Sequence, residues 1–483
     1  MHTKIIVKIL GILLMVYSLS LLPPIVIALI YQDGALIAFS TALALTLVSG
    51  FLLWWPNRRH RRELKIRDGF IVVIMFWTAL GMVGALPFIL EDDVPISITD
   101  AVFESFSGLT TTGATILSGL DSMPHAILWY RQQLQWLGGM GIIVLAVAIL
   151  PMLGVGGMQL YRAEMPGPTK DNKLAPRISE TAKTLWLIYV ALTIACALAY
   201  WLAGMSWFDA IGHSFSTVAI GGFSTHDASI AHFNSVTIEA IAIFFMFLAG
   251  ANFALHFRAF RGMTVNNYLL DPEFKTYTAV LLVGIIVSTA YLYFQQVYES
   301  LLEALRYGAF MTVSISTTTG FGNADFPAWP GFLPVMLIFM SFIGGSAGST
   351  GGGIKVIRFL LLFKQGVREI HRLMHPNALM PVKLNGREIS DRVMSSVWGF
   401  FALYVATFAV ILLALMAFDM DQVTAFSATA ATLNNLGPGL GEVAANFSQI
   451  NDPQKWILTL SMLLGRLEIF TLLVILTRAF WRA

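Results

Sequence analysis

The chain has 483 residues, of which 57% are hydrophobic and 12% charged, with a formal net charge of +2. Soluble domains carry about a quarter charged residues, so a water-soluble globular class is excluded, and so small a net charge gives no sign of a nucleic-acid partner. The single cysteine, Cys196, lies inside an apolar run and removes disulfides from consideration.

Uncharged apolar runs recur along the chain, each long enough to cross a hydrocarbon core of roughly 30 Å. Spanning helices are predicted near residues 5–31, 35–55, 69–90, 131–153, 184–204, 236–256, 276–296, 331–363, 393–418 and 456–478. The first run has a signal-like basic start, but it is too long and lacks a small-residue cleavage pattern, so it reads as a retained helix. Arg58, Arg59, Arg61, Arg62, Lys65 and Arg67 fill the loop after the second helix. Arg162, Lys170, Lys173, Arg177 and Lys183 fill another, Arg258, Arg261 and Lys275 a third, and Lys364 to Arg392 a fourth, with Arg478 and Arg482 at the end. Loops of the opposite side hold almost no basic residues; Arg131, Arg306 and Lys455 sit at helix edges there. This is the positive-inside bias, and it predicts both termini on the cytoplasmic side. The outer loops are acidic (Glu91, Asp92, Asp93, Asp100, Asp121, Asp227, Asp325 and Asp452), which concentrates cations at the mouth.

Four glycine-centred segments fall on that outer side: Thr110-Thr111-Thr112-Gly113-Ala114, Ile220-Gly221-Gly222-Phe223, Thr317-Thr318-Thr319-Gly320-Phe321 and Asn434-Asn435-Leu436-Gly437-Pro438. Each follows a stretch too short to span: Asp100–Leu109, Asp209–Val218, Ser300–Ile315 and Asp421–Leu433. A half-membrane helix followed by an extended return fits this better than a full crossing, because irregular backbone at membrane depth must line a water-filled path or pack in protein. The first two copies align without gaps: Asp100-Ala101-Val102 with Asp209-Ala210-Ile211, Phe106-Ser107 with Phe215-Ser216, Gly113 with Gly222. The four glycines recur roughly every hundred residues, the mark of an internal repeat.

The predicted architecture is an all-α membrane protein in which four pseudo-repeats of helix, pore helix, filter loop and helix surround one pore. Two N-terminal helices (1–60) stand outside the repeats, which cover 61–165, 166–262, 263–380 and 381–483. Glycine accepts positive φ without steric cost and leaves room beside an ion. Carbonyl oxygens from four such strands, about eight in all, can replace the hydration shell of K+. The predicted filter residues are Thr111, Thr112, Gly113, Ile220, Gly221, Gly222, Thr318, Thr319, Gly320, Asn435, Leu436 and Gly437. Close helix packing is the better explanation of a single glycine segment; four in matching positions favour the filter.

The eighth run is interrupted by Gly344-Gly345-Ser346-Ala347-Gly348-Ser349-Thr350-Gly351-Gly352-Gly353, which no helix survives at a cost near 1 kcal/mol per glycine. Such a segment beneath a filter reads as a gate formed by Gly344, Gly345, Gly348, Gly351, Gly352 and Gly353 with Lys355; a packing hinge is the plainer alternative. Gly353-Ile354-Lys355 does not make a phosphate loop, since Val356 follows the lysine and no strand precedes it. Arg466 lies near the middle of the last run, where a charge is expensive and must face a partner or a cavity. It reads as a barrier facing the pore, with an ion pair to Glu468 or to an acid on another helix as the alternative. His213 and His256 read as packing or interfacial groups, and Glu104 and Glu303 as outer-mouth charges or equally as solvated or capping residues. No nucleophile constellation, carboxylate pair or metal cluster is evident, so no enzyme activity is predicted.

These segments carry a family resemblance. Ser107-Gly108-Leu109-Thr110-Thr111-Thr112-Gly113-Ala114-Thr115, Met165-Pro166-Gly167-Pro168-Thr169-Lys170-Asp171-Asn172, Ile220-Gly221-Gly222-Phe223-Ser224-Thr225-His226, Asn434-Asn435-Leu436-Gly437-Pro438-Gly439, Gly465-Arg466-Leu467-Glu468 and the glycine-rich stretch resemble the Trk/Ktr/HKT superfamily of potassium transporters, bacterial TrkH/TrkG type, over essentially the whole length. The resemblance implies a potassium-translocating subunit of a bacterial inner membrane. It implies a homodimer with one pore per protomer, a cytoplasmic nucleotide-binding regulatory partner of NAD or ATP type, and no organic cofactor in this chain. It maps the filter glycines onto Gly113, Gly222, Gly320 and Gly437, the intramembrane gating loop onto Gly344–Gly353 and the arginine of the last helix onto Arg466. Relatives with serine at the first filter position tend to favour sodium, so glycine there implies potassium. The third segment, Thr317 to Gly322, departs in detail from the family pattern, which leaves its register open. An ion-coupled carrier with alternating access, driven by H+ or Na+, is the other reading that broken membrane helices allow.

Overall fold

The computed structural model describes residues 3–60, 66–144, 174–378 and 380–482. The run Met165–Asn172 and the basic residues Arg61, Arg62, Lys65, Arg162, Lys170 and Lys173 lie outside them. A chain this apolar satisfies its backbone inside each segment, and the regular secondary structure of the described residues is accordingly almost all helix. Six helices among them are long and apolar enough to cross a membrane, or eight if each sharply bent pair is one span.

The N-terminal pair comprises α1 (Thr3–Leu19) with α2 (Leu22–Tyr31), and α3 (Leu36–Trp54). Pro23 and Pro24 fall in the first turn of α2, where a missing N–H costs nothing. The α1 and α3 backbones touch at Gly11 and Gly50: a Cβ on Gly11 would meet the Gly50 carbonyl oxygen at 2.6 Å, and one on Gly50 the Gly11 oxygen at 2.8 Å. This is small-residue packing of membrane helices. Tyr17 on α1 shares a buried 2.7 Å hydrogen bond with Tyr130, whose hydroxyl also reaches the Gly84 carbonyl at 2.9 Å.

Four units follow, each with an outer helix, a short helix and an inner helix. The first has α4 (Ile66–Val83) with α5 (Leu86–Leu90), α6 (Ile98–Leu109) and α7 (His125–Val144), beyond which the predicted run 131–153 leaves the described residues. The second has α8 (Leu174–Leu202), α9 (Trp207–Ala219), and α10 (Val236–Ala249) with α11 (Phe253–Gly262). After the linking α12 (Asn266–Leu270), the third has α13 (Pro272–Phe294), α14 (Leu301–Ser316), and α15 (Leu333–Ile343) with α16 (Val356–Met374). The fourth has α17 (Asp391–Ala417), α18 (Gln422–Leu433), and α19 (Asp452–Arg466) with α20 (Phe470–Leu476), before a final turn, α21 (Arg478–Trp481). A hairpin pairs Lys383 with Glu388 and Leu384 with Arg387 around Asn385-Gly386, both at positive φ as a tight hairpin turn demands.

Two predicted straight helices are broken. The run 236–256 bends by 94° and the run 456–478 by 111°. Gly250 ends α10, and the Asn252 side chain caps α11 by accepting from Ala254 N–H at 2.9 Å. The last helix breaks at Glu468 and Ile469, with φ of 53° and 55°. Apolar composition continues across both bends, so hydropathy does not register them. The third break, Gly344 to Lys355, is where the glycine run predicts it.

The short helices are wedged in a closed ring: α6 packs on α7 and α19, α9 on α7 and α10, α14 on α10 and α15, α18 on α15 and α19. One hydrophobic core joins the N-terminal helices with the first and fourth units, and a second joins the second and third.

Candidate functional site

The four short helices share their caps. At their N-termini, Ser97, Ser206 and Ser300 accept from the backbone N–H of Asp100, Asp209 and Glu303, and Asp421 from Val423 and Thr424; each cap is worth about 1 kcal/mol. At the other end, the N–H groups of Thr112, Gly221 and Thr319 each donate over 2.8 Å to the carbonyls of Ser107, Ser216 and Ser314, and Leu436 over 2.7 Å to Ala431. The residue before each of these donors is left-handed: Thr111 at φ 51°, Ile220 at 55°, Thr318 at 69° and Asn435 at 54°. This closure usually falls to glycine. Three β-branched residues hold it here at a cost of about 1–3 kcal/mol each, so the surroundings must impose it. One residue further on come Gly113, Gly222, Gly320 and Gly437, at φ 81°, 79°, 85° and 97°. The third segment thus has the register Thr318-Thr319-Gly320. Its helix has 16 residues against 12, 13 and 12 for the others, an added turn.

These glycines meet one another in cyclic order. A Cβ on Gly113 would collide with the carbonyl oxygen of Gly221, one on Gly222 with that of Thr319, one on Gly320 with that of Leu436, and one on Gly437 with that of Thr112. Each glycine therefore faces the carbonyl of the residue just before the next glycine, and the fourth returns to the first. All twelve predicted filter residues lie in this ring. The C-terminal ends of the four short helices lead into it, each equivalent to roughly −0.5 charge. Cations are favoured there and anions are not.

Side chains brace the ring from behind. Gln135 donates to the Gly221 oxygen at 2.6 Å and accepts from Phe223 N–H at 3.1 Å. Glu104 and Arg131, both buried, pair at 2.7 Å. The Glu104 carboxylate also accepts from Ile116 N–H at 3.0 Å, and Arg131 donates to Thr115 Oγ1 at 3.0 Å and to the Ser224 carbonyl at 3.1 Å. The chain leaving the first ring segment is thereby tied to the chain leaving the second. Arg306 binds Glu239 at 2.7 Å and Lys455 binds Asp100 at 2.6 Å, locking α14 to α10 and α6 to α19. The mouth and capping readings of Glu104 give way to this buried role, because Arg131, the Ile116 N–H and the Thr115 hydroxyl, which donates to it at 3.0 Å, offset its desolvation. Glu303 is exposed, and its N–H meets the Ser300 cap. The sequence signal for the Arg131 and Gln135 contacts is a polar cluster, Arg131-Gln132-Gln133 and Gln135, at the head of an otherwise apolar run.

The glycine-rich segment lies against the C-terminal ends of three short helices. Thr350 Oγ1 donates to the Val218 carbonyl at 3.0 Å, Gly352 N–H to Thr318 Oγ1 at 2.7 Å, and Gly353 N–H to the Asn434 carbonyl at 3.1 Å. A Cβ on Gly351 would press on the Thr317 oxygen at 2.9 Å, and one on Gly352 would collide with that of Asn434. Ser346 N–H reaches the Gly250 carbonyl at 2.8 Å, Phe253 N–H the Gly348 carbonyl at 3.1 Å, and Val356 N–H the Gly345 carbonyl at 3.1 Å. Gly344 packs on Gly352 and Gly353, Lys355 Nζ donates to the Gly351 oxygen, and Glu273 accepts from Ala347 N–H at 2.7 Å. Arg466 donates to the Thr350 carbonyl at 3.2 Å, and its Nε and Nη2 are buried without hydrogen-bond partners among the described residues. It does not pair with Glu468, which binds Arg358 at 2.5 Å. Lys355, Arg358, Asn435, Arg466 and Glu468 line one small cavity of about 40 Å³.

In the loops that follow the first two ring segments, His226 hydrogen-bonds Asp121 at 2.5 Å and lies 3.4 Å from Asp209. Burial alone would depress the His226 pKa, but bonding to Asp209 and Asp121 outweighs it and raises it. Its hydrogen bond correspondingly lowers the pKa of Asp121. His213 bonds Ser224 Oγ at 2.8 Å, and His256 bonds Tyr268 at 2.7 Å and the Leu248 carbonyl at 2.8 Å, both in packing roles.

Known proteins match this arrangement along its whole length. The TrkH family profile, described as a cation transport protein, matches residues 36–481. The Trk system potassium uptake protein TrkH of Salmonella typhimurium is 58% identical over 482 residues, covering 100% of both chains. The corresponding TrkG of Escherichia coli is 41% identical, covering 100% of this chain and 99% of its own. The crystal structure of the potassium transporter TrkH from Vibrio parahaemolyticus superposes with a TM-score of 0.93 at 55% identity, covering 100% of both chains. These relatives are named as transporters, not enzymes. With fold and sequence in agreement from end to end, this multi-pass membrane chain belongs to the TrkH family of cation transport proteins.

Proposed function

We propose that this chain is the potassium-translocating subunit of a bacterial Trk-type uptake system, passing K+ inward through the ring of Gly113, Gly222, Gly320 and Gly437. The observation that carries the reading is the cyclic approach of each glycine to the carbonyl preceding the next. Thr111-Thr112, Ile220-Gly221, Thr318-Thr319 and Asn435-Leu436 supply the remaining filter backbone, and their oxygens replace water around the ion. Four units closed into a ring in one orientation favour a pore; alternating-access carriers are commonly built of paired repeats that move against each other.

The gate in this reading is Gly344–Gly353 with Lys355 and Arg466. The segment's bonds to Val218, Thr318 and Asn434 support a gate across the exit, where the Arg466 charge beside Thr350 would oppose a cation. The helix Val356–Met374 starts where the segment ends and carries Arg368 and Arg372 near its far end. A cytoplasmic nucleotide-binding partner gripping that helix would pull directly on the gate. The word "system" in the relatives' names supports such a partner, and the family resemblance supports a homodimer. Basic residues crowd the loops on the gate side, which supports termini in the cytoplasm.

The test is 86Rb+ influx into liposomes holding the purified chain, with and without a voltage or a proton gradient. Voltage-driven influx that needs no proton gradient and is inhibited by K+ more than by Na+ is expected. A fixed proton or sodium stoichiometry would replace the channel reading with coupled symport, and no flux under any gradient would remove both.

A further inference from the structure

Two outer loops meet beside the ring and bring three potential metal ligands together. Asp121 comes from the loop after the first ring segment, and His226 and His232 from the loop after the second. Both imidazoles present Nδ1 to the same Asp121 oxygen, at 2.5 Å from His226 and 3.9 Å from His232. One ligand atom from each residue lies within 4.8 Å of the other two. The two rings are stacked with centroids 3.4 Å apart and planes 2° from parallel. Like-charged imidazolium rings repel at that separation, so the pair is suited to neutral imidazoles sharing a cation.

A further carboxylate stands behind His226. The other nitrogen of His226, Nε2, faces Asp209 Oδ1 at 3.4 Å. Asp209 is itself fixed by Ser206 Oγ and Thr225 Oγ1, both at 2.7 Å. A metal ion would displace the proton through which Nδ1 now bonds Asp121, and Asp209 is placed to hold the remaining proton on Nε2, the arrangement typical of histidines on zinc. Two imidazole nitrogens and one carboxylate oxygen make a three-ligand set whose fourth position is left to water.

We propose that Asp121, His226 and His232 form an extracellular site for a zinc-class divalent cation, separate from the ion path. Imidazole ligands select such an ion over K+, Mg2+ and Ca2+, which prefer oxygen. His232 and Asp121 are 44% and 51% exposed, so the ion has access from solvent and the His232 ring has room to tilt toward it. A bound ion would cross-link the two loops that Asp227 already joins through the N–H groups of Gly119 and Leu120, at 3.0 and 3.1 Å. His226 N–H also bonds Ser224 Oγ at 3.1 Å, and the Ser224 carbonyl accepts from Arg131 behind the ring. The ion therefore adds positive charge and stiffness next to the mouth and slows cation entry, a consequence that rests on reading the ring as the ion path.

Binding and flux are read separately. The full chain, metal-stripped and purified on a tag without histidines, is titrated with Co2+ at mildly alkaline pH and then with Zn2+. The expected result is one visible Co2+ d–d spectrum per chain, displaced by Zn2+ but not by excess Mg2+ or Ca2+. His232→Ala, an exposed position, should weaken Zn2+ binding at least tenfold, as should Asp121→Asn, and Asp209→Asn should weaken it on the order of tenfold through the outer shell. No Co2+ spectrum, or binding unchanged in both His232→Ala and Asp121→Asn, overturns the site. In liposomes, Zn2+ should slow 86Rb+ influx in the native chain and not in His232→Ala; a zinc-loaded chain with unchanged influx overturns the modulation.

Discussion

Asn435 Nδ2 donates to Thr112 Oγ1 at 2.9 Å across 323 residues of chain, and the same amide nitrogen reaches the Met462 carbonyl at 3.0 Å. One side chain thus fastens the last ring segment to the first and to its own inner helix. Asn435→Ala removes both bonds and should cost about 1–3 kcal/mol. The ring is expected to loosen at its seam, so the preference for Rb+ over Na+ in competition flux should fall more than the thermal midpoint does. Unchanged selectivity would show that the seam closes without this amide.

Gly113→Ser introduces a Cβ that collides with the Gly221 oxygen at a φ of 81°. Left-handed strain alone is about 1–3 kcal/mol for a non-glycine residue, and 1.4 kcal/mol is tenfold. K+ over Na+ discrimination should fall about tenfold or more in paired uptake assays. Retained discrimination would argue strongly against the ring as filter.

Glu104→Gln and Arg131→Met each leave a buried charge unpaired, at a cost of about 3–5 kcal/mol. The double variant should be less destabilised than the sum of the singles, because neither charge remains alone. A double-mutant cycle on unfolding midpoints in detergent measures this coupling, and strict additivity would contradict it.

Arg466→Ala takes away a charge whose only hydrogen bond among the described residues is to Thr350. Basal 86Rb+ flux should rise several-fold with the thermal midpoint little changed. A drop in flux together with a lowered midpoint would assign Arg466 to folding.

Asp421 caps α18, and its bonds to Thr424 hold its carboxyl below the usual carboxylate range. A depressed folded-state pKa adds stability that is complete above the unfolded value of about 3.9 and disappears as pH falls through the folded value. Asp421→Ala should therefore cost about 1 kcal/mol near neutral pH, and the gap to the native chain should narrow on acidification. A gap that widens in acid would show that the cap acts without its charge.

The ring was legible because glycine's backbone freedom is a local property, and a local property repeated four times is visible in a linear sequence. The short helices were legible for a similar reason: Asp100, Asp209, Ser300 and Asp421 mark their beginnings to within a few residues. The Glu104–Arg131 pair was not, because its partners belong to different helices and nothing local relates them. The bends at Asn252 and Ile469 escaped because lipid imposes apolarity on a helix whichever way it turns; Gly250 and Asn252 are only a faint stop-and-start signal. Arg466 was legible as an anomaly. Its neighbour was not, since Glu468 lies close in sequence but turns to Arg358 once the backbone breaks.

The four walls of the ring belong to a single polypeptide. In a homotetramer every substitution is made in quadruplicate, whereas here Thr111, Ile220, Thr318 and Asn435 already fill one backbone role with three kinds of side chain. The ring can therefore be altered one quadrant at a time. An added turn in α14 and an amide brace behind Gly221 alone are departures that an obligate symmetry would forbid.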